Sequence, residues 1–80
     1  MQVLNVIELN SENSPQKIES FLVTEENKKV QIEIAETRFL SLISESRDLS
    51  EEDKEYYLDN GSFQEGGRQI FLTWSDEIQN

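Results

Sequence analysis

No cysteine and no histidine occur anywhere in the 80 residues. The first absence excludes disulfide staples and thiolate metal ligands, and it fits a reducing, cytoplasmic setting. The second removes the side chain that ordinarily moves protons near neutral pH and that most often ligates zinc. Ser-His and Cys-His nucleophiles are therefore impossible. Carboxylate pairs can still do acid–base work, as in glycoside hydrolysis, but they need a substrate cleft that a domain this small rarely builds. The expectation is no enzyme, no catalytic residue and no cofactor.

Long apolar runs are also missing. No stretch approaches the roughly 20 residues needed to cross a bilayer. The opening Met1-Gln2-Val3 has neither a basic segment nor a long apolar one, so no signal peptide is expected. Bases are scarce, with seven Lys and Arg against 17 Asp and Glu, for a formal charge of −10. Nucleic acid and anionic membranes would both repel such a chain, so neither is expected as a direct partner.

What is present is one short acidic domain, residues 1–80. A chain of this length buries only about 60% of the surface its unfolded form exposes, so its core is small. Apolar segments recur from Val3 to Trp74, which separates it from a disordered acidic tail. Val3 to Leu9 reads as a strand, rich in β-branched residues. Asn10 to Pro15 is a polar loop closed by the single proline. Ile18 to Thr24 is a second strand. Val30, Ile32 and Ile34 alternate with Gln31 and Glu33, which predicts a third strand, Val30 to Ala35, in a hairpin with the second.

The period then changes. Ala35, Phe39, Leu42 and Ile43 predict a helix over Glu36 to Ser46. Ser50 followed by Glu51, Glu52 and Asp53 is a helix start, with a capping hydroxyl and acids at the positive end of the helix dipole. That helix runs to about Leu58, and Asn60-Gly61 ends it. Gly66-Gly67 suits a type I′ hairpin turn that sets Glu65 opposite Arg68, Gln64 opposite Gln69 and Phe63 opposite Ile70. The last strand reaches Trp74, expected in the core, and Ser75 to Asn80 is expected to fray. The fold class is α+β, a small antiparallel sheet of four to five strands with two helices.

Three strands are apolar on both faces, so one face of the sheet needs a second cover. The expected second face is Leu4, Val6, Phe21, Val23 and Phe71. Either the second helix covers it, through Leu49, Tyr56 and Tyr57, or it is an interface with another protein or a second copy, giving a homodimer.

The densest acids define the other candidate surface: Glu51, Glu52, Asp53, Glu55 and Asp59, with Tyr56 among them. Tyrosine offers contact area with a polar tip, and acids steer a module toward a basic protein. No metal site is expected, since Asp59-Asn60-Gly61 puts glycine third where a calcium loop needs it sixth. The leading functional expectation is an acidic, non-catalytic protein-binding module, such as a regulator, inhibitor or subunit of an assembly. A nucleic-acid mimic that inhibits a nucleic-acid-binding protein is one alternative. A structural oligomer built through the second apolar face, or through the edge of the Val30–Ala35 strand, is another.

Overall fold

The computed structural model describes residues 2–10, 12 and 15–76. Four strands and two helices follow in the order β1 (Gln2–Leu9), β2 (Pro15–Val23), α1 (Lys28–Ser44), α2 (Glu51–Asn60), β3 (Ser62–Glu65) and β4 (Arg68–Asp76). The strands form one antiparallel sheet in the order β2-β1-β4-β3. The first and last strands are thus its centre, and each has its sequence neighbour on the outside. The α+β class with a four-stranded antiparallel sheet and two helices is as expected.

Both helices lie on the same side of the sheet. Leu4, Val6, Val23, Phe63 and Ile70 from the strands meet Ala35, Phe39, Leu42 and Ile43 from α1 in one buried cluster. Leu49, Tyr57 and Leu58 from α2 and its approach pack on that cluster from the same side. The Cα slab measures 36 × 30 × 16 Å, the thickness of one sheet and one helical layer.

The third expected strand does not exist. Residues 30–35 are the first turns of the 17-residue α1. Their alternation is compatible with both periods, and the helix uses a different subset. Ile32, Ala35, Phe39, Leu42 and Ile43 line the core, while Val30 and Ile34 are 60% and 40% exposed on the outer side. The expected hairpin between the second strand and Val30–Ala35 is replaced by a tied turn into the helix. Asn27 Oδ1 accepts from Thr24 N (2.7 Å), and Asn27 N donates to Thr24 Oγ1 (3.3 Å). The side chains of Asn27 and Gln31 both donate to the Leu22 carbonyl. Strand β2 pairs instead with β1, Val3 opposite Leu22 and Ile7 opposite Ile18.

Four of the five residues assigned to a second apolar face belong to the core. Leu4, Val6 and Val23 are buried, and Phe21 packs against them. Each strand does have two apolar faces, but the register joins Leu4, Val6, Phe21 and Val23 to Ile70 and Leu72 under the helices. Only Phe71 of that set faces away, alongside Val3, Ile7, Leu9, Ile18 and Leu22. Leu49 and Tyr57 do pack on the cluster that holds those four, as expected, but Tyr56 is 60% exposed and the side that Phe71 faces is not covered by the second helix. Trp74 is not in the core either, lying half exposed at its rim. Strand β4 runs through Ser75 and Asp76, and the rest of the segment expected to fray, 77–80, lies outside the described residues.

Two local expectations hold in detail. Ser50 Oγ accepts from Asp53 N, and the Asp53 carboxylate accepts from Ser50 N, which completes a capping box at the start of α2. Gly66 and Gly67 have φ of 61° and 77°, and the hairpin pairs Phe63 with Ile70, Gln64 with Gln69 and Glu65 with Arg68. Gly61 ends α2 in the left-handed region, donating to the Tyr57 carbonyl and accepting from Leu72 N.

A Cβ on Gly61 would meet the Leu72 carbonyl at 2.9 Å, whereas one on Gly66 would meet nothing within 4 Å. Gly66→Ala is expected to cost about 1 kcal/mol from conformational strain alone. Gly61→Ala should cost clearly more, because strain and collision add. Urea unfolding midpoints of the two variants check the order.

Candidate functional site

Helix α2 sorts its residues cleanly. Tyr57 and Leu58 face the core, and Tyr57 stacks edge-on against Phe63 at 5.4 Å between centroids. The outward stripe is set by the helical period: Glu52, Glu55, Tyr56 and Asp59 stand at i, i+3, i+4 and i+7 and are exposed. Tyr56 rests edge-on against Tyr57, at 5.2 Å, so its ring stands on a packed neighbour.

The six expected partner-binding residues divide into two groups. Asp53 is committed to the capping box, with Arg47 at 3.8 Å. Its carboxyl is held below the ordinary Asp value, first by the backbone hydrogen bond from Ser50 and then by the Ser50 hydroxyl and Arg47, against a smaller opposing effect of burial. Glu51 is taken by Lys54 at 3.2 Å, one turn along. The structure brings the other four together on one stripe. Among the described residues no cation lies within ion-pair distance of Glu52, Glu55 or Asp59.

A second cluster, between the sheet and the end of α1, is not announced by the sequence. Arg68, at the start of β4, is 19% exposed and meets Glu8 of β1, 13% exposed, through two parallel hydrogen bonds of 2.9 Å. Its Nη1 donates to the Leu42 carbonyl (2.8 Å) and to Ser46 Oγ (2.7 Å), and Nη2 also reaches Glu45 (3.0 Å). All of this fastens the C-terminal end of α1, which has no basic residue of its own in its last turn, to the centre of the sheet. Hydrogen bonding to Arg68 is the main influence holding the Glu8 carboxyl below its ordinary value, and hydrogen bonding to Glu8 is the main one raising the Arg68 guanidinium. The hairpin register does set Glu65 opposite Arg68, but their side chains part: Glu65 turns to Arg47, at 3.8 Å.

The side of the sheet away from the helices is the second candidate surface. It consists of alternate residues: Val3 to Leu9 in β1, Ile18 to Leu22 in β2, Ser62 and Gln64 in β3, and Gln69 to Ser75 in β4. None of these is charged. The strand charges, Glu8, Lys17, Glu19, Glu65, Arg68 and Asp76, all occupy register positions on the helix side. An apolar row, Ile18–Ile7–Phe71, crosses the open face. Beside it Ser20 and Asn5 stand opposite one another, with Ser75 on the diagonal, and the three satisfy one another: Ser20 Oγ donates to Asn5 Oδ1 (2.7 Å), and Asn5 Nδ2 donates to Ser75 Oγ (2.9 Å).

No group of three or more Asp or Glu among the described residues is arranged to hold a metal ion. Among the same residues no helix is long and apolar enough to cross a membrane. No family model, curated protein or solved structure matches the chain.

Removing Arg68 strands a largely buried carboxylate and frees the end of α1. Arg68→Ala is expected to cost about 3 kcal/mol at neutral pH, and Arg68→Lys to recover only part, because an ammonium cannot match the forked geometry. Because Glu8 titrates lower folded than unfolded, its pairing stabilises the fold fully above the ordinary Glu value. That contribution is lost as pH falls through the depressed folded value. The deficit of Arg68→Ala should therefore shrink in acid, as read by urea unfolding of variant and wild type at neutral pH and at about pH 3.

Proposed function

We propose that the chain is a non-catalytic protein-binding module that docks on a basic protein surface through the outward stripe of α2. Glu52, Glu55 and Asp59 supply the charge and Tyr56 the contact area. The observation that carries this is the sorting of the acidic cluster: Asp53 is spent on the capping box and Glu51 pairs at the surface with Lys54, whereas the carboxylates of the stripe are left without an ion pair on a capped helix backed by the core. Seven acids against two bases between Glu45 and Asp59 set the local field that speeds encounter with a basic partner. A cysteine-free chain suits the cytoplasm. Nucleic acid and anionic membrane are disfavoured as direct partners by the same charge.

A basic protein surface fits this stripe better than mimicry of a duplex does. Its three carboxylates are spread over eight residues, about 10 Å of helix from first to last. A duplex presents about six charges over that length. The module therefore acts as a regulator, inhibitor or subunit that engages a compact basic patch.

The test is affinity capture from nuclease-treated host lysate with the wild type and with Glu52→Gln/Glu55→Gln/Asp59→Asn. The wild type is expected to retain a basic protein that moderate salt releases, and the triple variant to lose it while staying folded. Equal retention by both proteins would contradict the role of the stripe. Release by added duplex DNA would move the reading to mimicry.

A further inference from the structure

We infer that the helix-free side of the sheet is the docking surface for a second copy of this chain, packed sheet face to sheet face. The ordinary two-layer domain buries apolar residues under its helices and turns charge outward on the open side. Among the described residues the strand positions on the open side carry no charge, although 30% of the chain is charged. Two copies that each carry −10 repel one another across almost any other surface. This face is where they can meet without bringing like charges into contact.

The polar groups on the face fit a dry mate as well. Burying a hydroxyl or amide is costly unless it is already hydrogen-bonded. Ser20, Asn5 and Ser75 are bonded to one another across the strands, and Gln64 Nε2 donates to Gln69 Oε1 at 3.1 Å. The rows can therefore be covered without leaving these amides and hydroxyls wholly unpartnered. The apolar side chains of the face supply the driving force, with Ile18 58% and Leu22 41% exposed in the single copy. Four strands about 4.8 Å apart and up to nine residues long give the open face roughly 20 × 30 Å, the low end of an ordinary interface. A two-fold axis through the Ile18–Ile7–Phe71 row would set it against its own mate.

Sedimentation equilibrium of the full chain tests this. The wild type is expected to rise from 9.3 kDa to twice that mass with concentration. Salt should strengthen the association by screening the charge of the two copies, the opposite of its effect on docking through α2. Ile18→Glu and, independently, Thr73→Glu should each weaken it at least ten-fold with circular dichroism unchanged. Val30→Glu, on the outward side of α1, should leave it intact. A wild type that stays at the single-chain mass at millimolar concentration overturns the proposal. So does a dimer that survives both sheet-face variants, which would put the contact at the β2 edge or on the Val30 and Ile34 side of α1. Neither result bears on the α2 stripe, whose capture experiment is separate.

Discussion

One guanidinium holds the architecture in place. Arg68 sits where β4 leaves its hairpin and joins β1, through Glu8, to the Leu42 carbonyl and the Ser46 and Glu45 side chains at the end of α1. A helix end needs donors and favours positive charge; backbone N–H groups and the Ser44 hydroxyl supply donors, but α1 has no basic residue in its own last turn. By capping α1 from the sheet, Arg68 fixes its exit over the central strands. The chain then passes through Arg47 and Leu49 into α2 on the same side, where Arg47 reaches the Tyr57 hydroxyl and Glu65. Both helices thus share one layer, and the opposite side of the sheet stays open.

That arrangement dictates how charge is distributed. Two helices on one side give the acids a solvated outer surface, and the strand charges collect at the rims of the same layer. Glu8 and Arg68 neutralise each other inside it, and Glu19 lies 3.7 Å from Arg38 near its edge. The open side is left with aliphatic rows and amides that bond among themselves. A small domain with a limited core gains from covering such a side. The two surfaces therefore differ in chemistry: one is acidic with a tyrosine among its carboxylates, the other uncharged among the described residues and largely aliphatic.

What sequence shows of this fold depends on how local the cause is. The capping box at Ser50 and Asp53 and the Gly66-Gly67 turn are decided within a few residues, and both were legible. The start of α1 was not. Val30, Ile32 and Ile34 alternate as a strand would, and only the continuation through Ala35, Phe39, Leu42 and Ile43 shows that Ile32 is on the core line. The two faces of each strand were legible one strand at a time. Which faces join required the pairing of Gln2 with Asp76 and Glu8 with Ile70, contacts across nearly the whole chain. The same distance hid the Glu8–Arg68 pair, because Glu65 stood nearer in the hairpin. Within the acidic cluster, helical spacing alone picks out Glu52, Glu55, Tyr56 and Asp59, but the loss of Glu51 and Asp53 to local partners needed the geometry.

Hydroxyl-radical footprinting across a protein concentration series reads the acidic stripe and the open sheet face at once. With increasing concentration, labelling of Ile18 and Leu22 should fall while Tyr56 keeps its full reactivity. Protection of Tyr56 with Ile18 and Leu22 unchanged would contradict docking through the open face, because the acidic side would then be where copies meet.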